Sequence, residues 1–140
     1  MLAYLQVDEL KPIRIVTASE ALTRGAVVAP GSTDKTVAKA TATTGYGLVD
    51  IQKNYNGLNA VIEPSDADFE SIASGSLCLY IPLYPGERFA TTEVTTTSLS
   101  AGDKVKATSG KFAKDSSGNC VYRGTYANPW GLDMYIIEVI

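Results

Sequence analysis

Apolar and polar residues alternate with a period of two along much of this chain. Leu58, Ala60 and Ile62 share one face of the stretch Leu58 to Glu63, and Leu77, Leu79, Ile81 and Leu83 share one face of the next. Successive side chains of an extended strand point to opposite faces, so each run predicts a strand. Pro82 has no amide proton to give to a ladder and predicts a bulge or an edge. Lys104-Val105-Lys106-Ala107 and Lys111-Phe112-Ala113-Lys114 flank Thr108-Ser109-Gly110, the spacing of a short hairpin with glycine in its turn. Met134 to Ile140 is apolar on both faces apart from Glu138, which predicts a buried strand. The run Thr91 to Thr97 is rich in β-branched residues and suits a strand better than a helix.

Turn signals separate these runs: Pro30-Gly31-Ser32, Asn56-Gly57, Pro85-Gly86, Ser116-Ser117-Gly118 and Asn128-Pro129. One helix is predicted near residues 66–74. Ser65 supplies an N-cap, Asp66 and Asp68 lie in the positive first turn, Phe69, Ile72 and Ala73 share a face, and Gly75 supplies a stop. The expected class is mainly β, a small β-barrel or sandwich with one short α-helix. Residues 1–12 read either as an N-terminal arm or as an ordinary first strand, ahead of a single β-rich domain over 13–140.

The chain also echoes itself. Leu22-Thr23-Arg24-Gly25-Ala26-Val27-Val28 returns as Leu99-Ser100-Ala101-Gly102-Asp103-Lys104-Val105, and Tyr46-Gly47-Leu48 returns as Trp130-Gly131-Leu132. The two copies span about residues 22–51 and 99–137, which predicts a domain built from two related β units.

Composition narrows the chemistry. A chain of 140 residues is long enough for one core, and 45% hydrophobic with only 19% charged residues leaves a sparsely charged surface. Net charge is −3, and neither half of the chain is basic, so a grip on nucleic acid is not expected. Lys104, Lys106, Lys111 and Lys114 form the nearest thing to a basic stripe, and alternation places them on a solvated hairpin face. The apolar run Leu2 to Val7 is short, has no basic residue before it and meets Asp8-Glu9, unlike a signal peptide; no stretch approaches the roughly 20 apolar residues of a membrane span. A soluble protein that engages no membrane is expected.

There is no histidine, which removes the commonest general base and metal ligand. Cys78 and Cys120 lie in strand-like stretches and read as free structural thiols. Asp66, Asp68 and Glu70 resemble the start of a calcium loop, but Ser71 stands where glycine is needed and Leu77 where the closing Glu is needed. Gly110-Lys111 is followed by Phe112, which breaks a phosphate-cradling pattern. No catalytic residue, metal or cofactor is expected.

The passage Gly86-Glu87-Arg88-Phe89-Ala90-Thr91-Thr92, followed by Leu99 to Phe112, resembles the head-decoration or capsid-cement proteins of tailed bacteriophages. The first copy, Leu22 to Val28 with Tyr46-Gly47-Leu48, is similar to the same phrase: a glycine turn, a short valine strand, a loop, then glycine and an apolar strand. The resemblance covers residues 20 to 140; Asn54 to Ser74 has no place in it. It implies a non-enzymatic viral structural protein on the capsid exterior of the virion, assembled in the host cytoplasm, bound to the major capsid protein and acting as a homotrimer. The first ten residues would then reach the shell, with Leu2, Tyr4, Leu5 and Val7 as partner-binding residues, by adding a strand to a sheet edge. The alternative is a carbohydrate- or receptor-binding β module of a virion tail or fibre, in which Tyr46, Tyr55, Tyr122, Tyr126 and Trp130 stack on sugar faces.

Overall fold

A computed structural model of the chain describes residues 1–6, 12–41, 47–51, 70–128 and 131–140. Within them the strands are β1 (Leu2–Gln6), β2 (Arg14–Ala18), β3 (Leu22–Thr23), β4 (Val27–Pro30), β5 (Thr36–Lys39), β6 (Gly47–Ile51) and β7 (Ser71–Ile72). The remainder are β8 (Leu77–Pro82), β9 (Arg88–Thr91), β10 (Lys104–Thr108), β11 (Lys111–Lys114), β12 (Cys120–Tyr126) and β13 (Met134–Val139). The chain is mainly β. Among the described residues no helix is long and apolar enough to cross a membrane.

The sequence echo marks a duplicated barrel. In the first unit β2, β5, β4, β6 and β8 close on themselves, with β5 running parallel to β2 at Thr17 opposite Thr36 and Ala18 opposite Val37. The second unit is a six-stranded sheet, β1-β9-β13-β12-β10-β11, whose last five strands follow the equivalent order; a single parallel bridge from Val94, just past β9, to Phe112 brings its ends together, and it is called the second barrel in that sense. The bonds beside the two closures match: Ser19 N–H donates to Val37 O at 2.9 Å, and Thr95 N–H donates to Phe112 O at 2.8 Å.

Register matches as well. Val27 lies opposite Leu48 and Val28 opposite both Gly47 and Lys39; Lys104 lies opposite Val121 and Val105 opposite both Cys120 and Lys114. Each unit opens with the same turn, in which Ala26 N–H bonds Thr23 O at 2.9 Å and Asp103 N–H bonds Ser100 O at 3.0 Å. Gly25 (φ 87°) and Gly102 (φ 97°) occupy the left-handed position of these turns, where a Cβ is strained. Their amides donate to Val49 O at 2.8 Å and Tyr122 O at 2.7 Å.

Two expectations are corrected. The duplicated unit is wider than the sequence echo, running from β2 through β8 and again from β9 through β13. Gly47-Leu48 is matched by Cys120-Val121, whereas Gly131-Leu132 precedes β13 outside any strand, so the second sequence pair is not a structural one. Tyr46 and Trp130 lie outside the described residues.

The helix expected near 66–74 is shorter than that span. Residues 66–69 lie outside the described residues and Glu70 is helical, but Ser71 and Ile72 form β7, paired to Thr23 and Leu22. Ile72 therefore buries its side chain from a strand, and the glycine stop is a turn in which Gly75 (φ 86°) donates its N–H to Ala18 O at 2.8 Å. The predicted strand at 58–63 lies outside the described residues. The hairpin at Thr108–Gly110 is present, with Ser109 (φ 52°) and Gly110 (φ 85°) as its two-residue turn.

The cores follow from the alternation. Val16, Val28, Val37, Val49 and Cys78 point into the first barrel. Val105, Phe112, Tyr122 and Ile137 point into the second, with Phe89 and Phe112 in tilted contact at 5.7 Å between ring centroids. The same cluster takes in Val27, Leu48 and Ile81 from the outer face of the first barrel. Each of those three side chains contributes about 1.5–3 kcal/mol when buried, enough to hold the barrels against one another. The β10–β11 turn adds backbone bonds across the junction: Val27 N–H to Gly110 O at 2.9 Å and Gly110 N–H to Ala40 O at 3.1 Å.

Candidate functional site

The barrels share a scaffold and differ at the mouth. In the second, Phe89, Thr91, Phe112 and Ile137 are fully buried and fill it. The positions matched to these by register in the first are Arg14, Val16, Val37 and Tyr80, and there a cavity of about 620 Å³ stands open. Phenylalanine at the position of Arg14 closes the second barrel; arginine cannot, because its guanidinium stays near water.

The rim of this mouth is the β4–β5 loop, residues 31–35, where the second barrel has only a two-residue turn. Gly31 N–H donates to Thr36 O at 2.8 Å, and Thr36 Oγ1 donates to Thr33 O at 2.6 Å, so the loop is held by its own bonds. Lys35 takes φ 56° within it. The lining offers two cations, Arg14 and Lys35, one carboxylate, Asp34, and the hydroxyls of Ser32, Thr33 and Tyr80. Burial pushes the Tyr80 phenol above its ordinary value, while Arg14 pulls it the other way, so Tyr80 is a neutral hydroxyl at pH 7.

Beside the mouth the outer face of β2 and β8 is bare. Ile13, Ile15 and Leu77 are 53%, 55% and 59% exposed. The counterparts of Ile15 and Leu77 in the second barrel are Ala90 and Met134, at 0% and 1%, covered by Met1, Ala3 and Leu132. The alternation of Leu77, Leu79 and Ile81 was visible in the sequence, but it marks the outside of the barrel; Cys78 and Tyr80 face in.

The residues expected to bind a partner divide. Leu2 belongs to the core shared by the barrels. The Tyr4 hydroxyl donates to Asp50 Oδ2 at 2.6 Å, while Leu5 is exposed and Val7 lies outside the described residues. Leu2–Gln6 is therefore a sheet strand and not a free arm, because β1 pairs with β9 from Leu2 opposite Thr91 to Gln6 opposite Arg88. Asp50 is buried and also accepts from Arg24 Nε at 2.6 Å and Ile51 N–H at 2.8 Å. Burial and the Asp50 carboxylate together push the Tyr4 phenol above its usual range. The Met1 ammonium donates to Arg24 O at 3.0 Å and Thr92 Oγ1 at 2.8 Å and forms an ion pair with Glu70 at 2.5 Å. These groups clamp β1 onto the junction of the barrels.

Three of the four lysines in the stripe are paired with neighbouring carboxylates. Lys106 pairs with Asp115 at 2.7 Å, Lys114 with Asp103 at 2.8 Å and Lys111 with Glu93 at 3.9 Å. Cys78 and Cys120 are buried free thiols in separate barrels, and burial pushes the Cys78 thiol up, away from the reactive thiolate. Tyr122 packs on Tyr135 at 6.2 Å, Tyr126 packs against the Met1 and Met134 cluster, and Tyr55 lies outside the described residues. Among the described residues no cluster of three or more acidic or sulfur side chains is arranged to hold a metal ion. No protein-family model matches this chain, and no curated protein matches it significantly.

Arg14, Ile15 and Tyr80 were not singled out from sequence. They meet only because β2 pairs with β8, Arg14 opposite Tyr80 and Ile15 opposite Leu79, across a long separation along the chain.

Proposed function

We propose that this protein decorates and stabilises the outside of an icosahedral phage capsid, attached to the major capsid protein as a homotrimer. The observation that carries the reading is the bare apolar face of the first barrel, Ile13, Ile15 and Leu77, set against the covered face of the second. Large apolar side chains gathered on one exposed face mark an interaction surface. The resemblance of Gly86 to Phe112 to capsid-cement proteins gives the partner its class. Three copies acting together would convert weak single contacts into firm attachment, since later contacts form within one complex.

Co-sedimentation with empty heads of the encoding phage tests this. Saturable pelleting with expanded but not unexpanded heads is the expected result, lost in an Ile15→Asp, Leu77→Asp double variant whose melting temperature is nearly unchanged. Failure of the unaltered chain to pellet with either head overturns it.

The open mouth favours one further reading, a carbohydrate- or receptor-binding module of a virion tail or fibre. Its volume of about 620 Å³ falls within the range of roughly 300–1,000 Å³ common for small-ligand sites. A glycan-binding screen in which Tyr80→Phe loses the hit supports that reading; an empty screen removes it.

A further inference from the structure

The leading strands of the two barrels have different borders. In the second barrel β9 lies between β13 and β1, with Phe89 opposite Tyr4, Ala90 opposite Ala3 and Thr91 opposite Leu2. In the first barrel β2 has β8 along one side from Arg14 to Thr17, but on the other side β5 borders only Thr17 and Ala18.

The backbone groups of a strand turn to alternate sides. Ala18 faces the β8 side, donating to Ser76 O at 2.9 Å and accepting from Gly75 N–H at 2.8 Å. Thr17 N–H faces the β5 side and donates to Lys35 O at 2.9 Å. Two residues before it, the N–H and C=O of Ile15 face that same side, beyond the end of the β5 pairing, and no described residue pairs with them. Ala90 occupies the matching position in the second barrel, and there β1 runs alongside.

We propose that the free edge of β2 accepts an extended segment of a partner protein, laid antiparallel across Arg14, Ile15 and Val16 in the place that β1 takes in the second barrel. Register sets the chemistry of that segment. The residue opposite Val16 points into the mouth and is apolar, as Leu2 is opposite Thr91. The next residue points outward over Ile15 and is small, as Ala3 is opposite Ala90. The third returns to the mouth opposite Arg14, with Lys35 across the rim, and is acidic. Arg14 and Lys35 form no ion pair with any described residue and outnumber Asp34, the one carboxylate of the lining, so an incoming carboxylate meets a net positive charge. Main-chain bonds along the edge give affinity and the two inward side chains give selectivity, as in other strand additions.

The inference rests on the comparison of the barrels and not on the capsid reading, and its test uses no heads, so the two fail separately. The probe is the peptide acetyl-Met-Leu-Ala-Glu-Leu-Gln-amide, the β1 sequence with glutamate in fourth place, added to the whole ¹⁵N-labelled chain. In the free protein the Ile15 amide should exchange with solvent at least about a hundredfold faster than that of Ala90. Millimolar peptide should slow the Ile15 exchange by roughly tenfold or more and move the resonances of Arg14 to Val16 and of the β4–β5 loop. Ile15→Pro removes the N–H that faces the free edge, and the peptide-induced shifts of Arg14, Val16 and the β4–β5 loop should then disappear. Arg14→Glu leaves the backbone intact and should weaken binding by about tenfold or more. An Ile15 amide that stays unprotected with peptide, or equal binding by Arg14→Glu, overturns the proposal. So does protection of Ile15 without peptide that grows with protein concentration, which would give the edge to a second copy of the chain.

Discussion

The two barrels are one plan executed twice with opposite priorities. The second uses Phe89, Phe112 and Ile137 to fill its interior and β1 to cover its leading strand. The first keeps the same strand order and the same glycine turn but puts Arg14 and Tyr80 at the mouth and leaves Ile15 and Leu77 bare. Within a duplicated fold, one copy can hold the structure while the other keeps the open edge and cavity on which binding depends. The lesson is that a surface is best judged against its own counterpart: an exposed isoleucine alone says little, but one whose equivalent is completely buried marks a vacancy.

The largest effect should come from breaking the filled barrel. Phe89→Ala is expected to cost about 3–5 kcal/mol in denaturant unfolding, against about 0.5 kcal/mol or less for Arg14→Ala at the matching position. Equal costs would mean that the first mouth is packed after all. Next come the paired glycines. Both have positive φ, but a Cβ at Gly25 meets Thr91 Oγ1 at 2.5 Å and Met1 O at 2.7 Å, whereas one at Gly102 meets nothing within 4 Å. Gly102→Ala should therefore cost only the backbone strain, about 1–2 kcal/mol, and Gly25→Ala clearly more, because a main-chain oxygen cannot step aside.

A smaller loss is expected for Asp50→Asn, which weakens the acceptor shared by Tyr4 and Arg24. The cost should be about 1–3 kcal/mol, with faster amide exchange along β1 as its local signature.

The smallest effect is in acid. Hydrogen bonds from Lys106 and Ser117 hold the Asp115 carboxyl down to about 2, Lys114 and the Ser100 amide lower Asp103, and Arg123 lowers Glu138. All three belong to the second barrel. Their folded values lie below the unfolded ones, so they stabilise the fold above the ordinary carboxylate range, and that contribution is lost as pH falls toward 2. Melting temperature should drop over that window, and Lys106→Met should flatten part of the drop. These carboxylates lie at the surface, only partly covered and screened by solvent, so the change is modest.

Much of this was legible in the sequence. The Lys104–Lys114 hairpin was readable because a two-residue turn demands glycine at positive φ, and the Leu22 and Leu99 phrases because Gly25 and Gly102 answer the same demand. What failed had physical causes. Ile72 carries an apolar side chain that fits a buried helix face or a buried strand equally well, and its pairing with Leu22 decided between them. Residues 1–12 read equally as an arm or as a first strand, because the edge that receives Leu2, β9, lies far along the chain. The alternation at Leu77 to Ile81 gave the period but not the side, since Ile81 on the outer face is buried by the second barrel and Cys78 on the inner face by the first. The candidate site was the least legible part, because Arg14 and Ile15 acquire meaning only beside Phe89 and Ala90.

The Gly110 turn, seated between Val27 and Ala40, has a thermodynamic consequence. Neither barrel can melt without stripping backbone bonds and apolar contacts from its neighbour, so the duplicated chain should absorb heat in one calorimetric peak whose van't Hoff and measured enthalpies agree.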